Sequence, residues 1–287
     1  MAKSHRSRVK FLVLGVLFAG QLQVPAVSSA ASDKVPDPQA PGLTLAQRSE
    51  ALVDRIRFEQ KRLRTLEADF VQYRVSEFLA APEESRGTFS YSAPDLVRWD
   101  YTSPKPVSLV IREDEMVTWY RDLGKAERVK VGRASSQVFR YLNASGSLDT
   151  LMKYFAVTFA FPGSSSPDAG ATGASPAAGA TGATEATGAV GAAGATTGAA
   201  GDAYRLDLAP RFARIRKRLA AMSLWIDPKV FLPARVRYVE ANGDTTEYRF
   251  DHLRLNGEVP PSRFELAIPK EVEIRVVDLD RARNSGH

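Results

Sequence analysis

The chain has 287 residues, 44% hydrophobic and 25% charged, with a net charge of +6 and no cysteine. Without Cys it has no disulfide, thiolate metal site, thiol nucleophile or lipid-modified cysteine. Four of the 39 Lys and Arg and none of the 33 acids fall in the first 30 residues, so the remainder sets 35 bases against 33 acids, a net +2. That near-balance gives no reason to expect nucleic acid as a partner.

Residues 1–30 read as a signal peptide. Lys3, Arg6, Arg8 and Lys10 form a positive start, an apolar run of ten residues follows over 11–20, and small residues around Ser28, Ser29 and Ala30 offer a cleavage site. Ten is half of the roughly 20 that a membrane-spanning helix needs. The expected mature protein is therefore exported and soluble, in the periplasm or outside the cell. Residues 31–43, with Pro36, Pro38 and Pro41, read as a Pro-rich linker.

A single domain is expected over 44–280, ahead of a short tail, 281–287. It opens with a helix. Thr44 and Gln47 have the capping-box spacing, and Leu45, Leu52, Ile56 and Leu63 recur at helical intervals on one face. From Ala68 the period drops to two. Strand-length segments at 68–76, 86–92, 96–101, 107–112, 116–120 and 126–131 are separated by short Pro, Gly and Asp turns, which allow antiparallel neighbours but no crossover helices. Residues 137–154 read as helix, broken at 143–146, and 156–161 as strand.

Residues 163–202 are built almost wholly of Ala, Gly, Thr and Ser. They lack the large side chains that could offset ordering entropy, so they read as a disordered insertion in a surface loop. Strands are expected after it at 204–208, 219–226, 234–240 and 245–255, with Asn242-Gly243 as a hairpin turn. A last strand over 263–268 precedes a tail from Pro269. The fold class is mainly β (α+β): one antiparallel meander with a few helices, forming a strongly curved sheet or partial barrel.

Alternation sorts side chains by face. Val97, Trp99 and Tyr101 share one face of their strand, as do Gly87, Phe89 and Tyr91, and Val107, Leu109 and Ile111. Such a surface either packs a core or, if sheet and helices close incompletely, lines an apolar cavity. Chemistry has few candidates. His252 is the lone His between the leader and the final residue, and no Gly-x-Ser-x-Gly elbow is present. A non-enzymatic protein without cofactor or metal is expected. The basic stretch Arg211, Arg214, Arg216, Lys217 and Arg218 is either a solvated loop or a contact for an anionic surface or acidic partner.

The order of these features resembles the periplasmic lipoprotein carriers of the LolA type. The resemblance is carried by Phe70 and Gln72 after the helix, Gly87 and Phe89, then Pro94, Arg98, Trp99, Tyr101 and Pro104, Trp119-Tyr120, and finally Phe264, Pro269 and Glu271-Val272-Glu273. It implies an incomplete barrel with a helical lid around an apolar cavity for acyl chains, with Phe70, Phe89, Tyr91, Val97, Trp99, Tyr101, Leu109 and Trp119 as its lining. It also implies acylated lipoproteins as cargo, an inner-membrane ABC-type release complex as donor, an outer-membrane acceptor, and a monomer. A carrier or sensor of another lipid or glycolipid is the alternative for the same shape. The chain departs from the family pattern at Ala93, where the best-studied carriers have an Arg that holds the lid closed. It departs again at Val97, where they have an aromatic, and at Glu113-Asp114-Glu115, which replaces an Asp-Gly turn.

Overall fold

The computed structural model of the protein describes residues 35–112, 115–130, 148–163 and 202–278. The expected leader, Glu113-Asp114, most of the expected 137–154 helix, nearly all of the insertion and the expected tail 281–287 lie outside them. Helix α1 (Leu45–Arg62) begins as its spacing predicts: the Gln47 amide donates to Thr44 Oγ1 at 3.3 Å, and the Thr44 amide donates to Gln47 Oε1 at 2.9 Å. Leu52, Val53 and Ile56 are buried, and Leu63 is buried just past the helix end. Leu45 differs from expectation. It is 68% exposed, in the first turn of the helix.

Twelve strands form one sheet: β1 (Thr65–Val75), β2 (Glu83–Ser92), β3 (Leu96–Ser103), β4 (Val107–Arg112), β5 (Glu115–Tyr120), β6 (Lys125–Lys130), β7 (Phe155–Ala160), β8 (Tyr204–Pro210), β9 (Leu219–Ile226), β10 (Pro233–Glu240), β11 (Thr245–Leu255) and β12 (Glu273–Asp278). The spatial order is β12-β6-β5-β4-β3-β2-β1-β11-β10-β9-β8-β7, so the sheet is open, with β12 and β7 at its edges. Inner-face residues from β3 and β4 share one core with those of β7 and β8, strands far apart along the ladder, which requires the sheet to curl strongly.

Two expectations are corrected. The strands are not one meander but two, β1–β6 and β7–β11, joined where β1 pairs with β11. The final strand is not 263–268. Residues Pro261–Phe264 form a 3-10 turn whose Phe264 is buried, and the strand falls in the expected tail as β12, which pairs with β6 in parallel. The alternation at 263–268 misleads because Arg98 occupies the neighbouring carbonyls: its Nη1 donates to those of Arg263 (2.7 Å) and Glu265 (3.0 Å). Asn242-Gly243 does make the β10–β11 turn, with Gly243 at φ +89.

The short helix α2 (Leu148–Tyr154) leans on α1. Arg57 Nε donates to Asp149 Oδ1 at 2.7 Å, and the Leu148 amide to Gln60 Oε1 at 3.3 Å. Residues 35–43, read as linker, also sit against the domain. Pro38 is buried, Gln39 Nε2 donates to the Tyr204 hydroxyl at 2.9 Å, and Arg55 Nη1 reaches the Pro36 carbonyl at 3.4 Å.

Candidate functional site: the aromatic inner face

Directly paired residues of neighbouring strands point to the same side of a sheet. The register Phe70–Gly87, Gly87–Tyr101, Phe89–Trp99, Tyr91–Val97, Val97–Ile111 and Trp99–Leu109 therefore sets Phe70, Phe89, Tyr91, Val97, Trp99, Tyr101 and Leu109 on one face. These are seven of the eight expected lining residues. All are buried except Tyr101, which is half-buried.

They meet closely. The Phe70 ring lies edge-on to Trp99 at 4.7 Å and to Tyr101 at 5.0 Å between centroids, and Phe89 lies 4.8 Å from Trp99. Gly87 permits this: a Cβ there would collide with the Asp100 carbonyl oxygen and come within 2.8 Å of the Phe70 ring. The motif Gly87-x-Phe89 is thus a packing device, one residue leaving room for a ring and the other supplying one.

Trp119 is the exception. It pairs with Ser108, whereas Leu109 pairs with Thr118 and Ile111 with Met116, so Trp119 lies on the opposite, outer face. There it is half-buried, with the Arg121 guanidinium 5.0 Å above its ring. The resemblance brought it into the lining, but its odd position on β5 faces outward while the odd positions of β4 face in.

The second meander supplies residues that the sequence reading left out. Phe250 pairs with Phe70, Tyr248 with Gln72 and Val236, and Tyr238 with Thr246, all on the inner face. Tyr248 stands 5.2 Å from Trp99 between centroids, and its hydroxyl is 3.4 Å from that of Tyr101. Alternation over β11 carried this signal. Burial pushes the Tyr101, Tyr238 and Tyr248 phenols above their ordinary range, so the cluster is neutral at physiological pH.

Helix α1 joins the same buried core through Leu52, Val53 and Ile56 and is held from its polar side. Arg55 stacks 4.4 Å over Phe231 in the β9–β10 turn, and Arg57 bridges Asp149 of α2. The Arg57–Asp149 bridge is partly exposed and worth little, whereas Phe231 beneath Arg55 is buried and the apolar stripe of α1 lies in the core. Ala93 is exposed in the β2–β3 turn, and its amide donates to the Arg64 carbonyl just beyond α1 at 2.7 Å.

The outer face of the same strands is ionic. Asp100 accepts from Arg98 Nε at 2.6 Å and Nη2 at 2.9 Å and from the Ser108 hydroxyl, with Arg121 at 3.7 Å and Arg263 at 3.9 Å. Burial presses the Asp100 carboxyl upward, but the hydrogen bonds from Arg98 and Ser108 and the charges of Arg98 and Arg263 outweigh it and hold the group below its ordinary value. His252 sits at a bulge with φ +53, exposed, its Nδ1 2.8 Å from Asp69 Oδ2. Among the described residues no three His, Cys, Asp or Glu side chains gather as a metal site, and no helix is long and apolar enough to cross a membrane.

Residues 61–163 match the family model described as outer membrane lipoprotein carrier protein LolA. Over that span, about a third of the chain, the protein is similar to LolA-type carriers. The matched span runs from the end of α1 through β7, and so contains the seven expected lining residues found on the inner face. The chain is 35% identical over 71 residues to the outer-membrane lipoprotein carrier protein of Methylococcus capsulatus, covering 25% of this chain and 34% of that one. To the protein of the same description from Dechloromonas aromatica it is 33% identical over 86 residues, covering 30% and 40%. The chain thus spans between a third and two-fifths of the length of these curated relatives.

Among solved structures, an uncharacterized conserved protein from Thermus thermophilus superposes with TM-score 0.44 at 12% identity, covering 80% of this chain and 98% of that one. A LolA superfamily protein from Nitrosomonas europaea gives 0.34 at 9%, covering 74% and 96%. The Mycobacterium tuberculosis lipoprotein LppX gives 0.39 at 11%, covering 74% and 98%.

Proposed function

We propose that this protein is a LolA-type carrier, exported to the periplasm and non-enzymatic, that holds the acyl chains of lipoproteins against the inner face of its sheet. In this reading it receives them from an inner-membrane ABC-type release complex and delivers them to an outer-membrane acceptor. The observation that carries the reading is the continuous aromatic surface from Phe89 and Trp99 across Phe70 to Tyr248 and Phe250, which shares one apolar core with the stripe of α1. Each methylene moved from water onto such a surface contributes about 0.8 kcal/mol. Binding then requires α1 to yield, exchanging Leu52, Val53 and Ile56 for an acyl chain of similar polarity.

The test is displacement of a hydrophobic fluorophore by a lipoprotein in acylated and non-acylated forms. The acylated form is expected to compete and the other to leave the probe in place. Tyr101→Lys, which sets a charge at the half-buried end of the cluster, is expected to weaken that competition about tenfold with the fold retained. A folded protein that takes up no displaceable probe, or in which both forms compete alike, rejects the carrier reading. Mass spectrometry of lipids co-purified from the periplasm distinguishes lipoprotein from free lipid.

A further inference from the structure

The turn between β8 and β9 carries the densest charge in the protein and has no part in the inner face. Residues 211–218 hold Arg211, Arg214, Arg216, Lys217 and Arg218, and no Asp or Glu occurs between Leu208 and Ile226. All five cations are exposed, while Ile215 of the short helix α3 (Ala213–Arg216) is buried and anchors the turn from beneath. The arrangement is held in place. Arg216 Nη1 donates to the carbonyls of Pro210 (3.2 Å) and Arg211 (2.9 Å), and Arg211 Nε to that of Phe155 (2.9 Å).

A large apolar residue sits among these charges. Phe212 is 42% exposed, with its ring edge-on to Tyr154 at 6.1 Å and the Arg214 guanidinium 5.1 Å over it. Exposed Lys153, next to Tyr154 in the last turn of α2, adds a sixth cation. Nearby acids are few. Glu240 lies opposite Leu219 at the head of β9, and Asp244 of the next turn is paired with Arg74 at 3.6 Å.

We propose that this turn docks the protein on an anionic phospholipid surface. A ring of Lys and Arg around an exposed aromatic suits the headgroup layer, where cations meet lipid phosphates and the ring enters the boundary beneath them. Since bases and acids outside the leader nearly balance, 35 against 33, the charge at this turn reflects segregation rather than general basicity. It would therefore orient the protein as well as attract it. Docking of this kind does not depend on the acyl-carrier reading, because a protein with an empty inner face would still bind.

The experiment is co-sedimentation with phosphatidylcholine vesicles, with and without phosphatidylglycerol, at low and raised salt. Capture is expected only by the anionic vesicles and is expected to weaken as salt rises. Arg214→Gln with Lys217→Gln is expected to bind about tenfold more weakly, and Phe212→Ala to bind more weakly while keeping the salt dependence. Each variant is compared with the parent protein in the same form, with folding and fluorophore uptake measured in parallel. Equal capture by neutral vesicles, or unchanged binding by the double Gln variant, overturns the proposal. So does capture by a soluble polyanion such as heparin in place of vesicles, which would assign the turn to an acidic macromolecule.

Discussion

On the inner side of β2 and β3, Phe89 and Trp99 touch at 4.8 Å, while one residue further along each strand Ser90 and Asp100 face outward into a network of Arg98, Arg263 and Ser108. The strands are shared and the forces differ. Aromatic and aliphatic contacts on the inside are non-directional, so rings and helix can repack around another apolar body at small cost. Hydrogen bonds and ion pairs on the outside hold distance and angle. Arg98 ties Asp100 to the carbonyls of Arg263 and Glu265, and Arg235 and Arg249 converge on Glu247 at 2.6 and 2.8 Å. The outer face therefore fixes strand register, and the proposed carrier role asks only the inner face to repack.

The sharpest way to break this comparison sets its two tryptophans side by side. Trp99→Ala is expected to cost about 3–5 kcal/mol, the range for a large buried aromatic. Trp119→Ala, half-buried on the outer face, is expected to cost about 1 kcal/mol and to leave fluorophore uptake unchanged. Chemical denaturation measures the first difference and probe titration the second. Similar losses at both sites would remove the distinction between the faces.

Gly87→Ala comes next. The added methyl meets the Asp100 carbonyl oxygen of β3 and the Phe70 ring, so a loss of about 2–3 kcal/mol is expected, read from the denaturation midpoint. Because the methyl enters on the inner side, outer-face register should persist, visible as unchanged far-ultraviolet circular dichroism below the transition.

A smaller effect separates the faces by pH. Asp100 is held below its ordinary value when folded, so its contribution is full above the unfolded value near pH 4 and is lost as pH falls through the folded value. Asp100→Asn should flatten that acid limb. Tyr101, Tyr238 and Tyr248 are raised when folded, so their contribution is full below about pH 10 and is lost as pH rises above it. Tyr248→Phe should flatten the alkaline limb and leave the acid one alone. Measuring unfolding free energy across both limbs checks the assignment, and it fails if either variant moves the opposite limb.

Much of this was legible in the residues because local rules decided it. The Thr44–Gln47 cap, the period-two strands, the Asn242-Gly243 turn and the shared face of Val97, Trp99 and Tyr101 follow from capping chemistry and pleat geometry, which act over a few residues. The assignments that needed correction depended on distant partners. The exposure of Leu45 depended on what packs against the first turn, which spacing along the helix does not specify. The side taken by Trp119 depended on its register with Ser108, and the absence of a ladder at 263–268 on Arg98 claiming the carbonyls. The pairing of β1 with β11 makes two meanders one sheet, and it alone brings Tyr248 and Phe250 to Phe70 and Trp99. Sequence by itself determined the elements and the apolar character of one face. Tertiary structure decided which strands meet and so which rings share a surface, because register between segments nearly two hundred residues apart is set by packing and hydrogen bonds that no local pattern encodes.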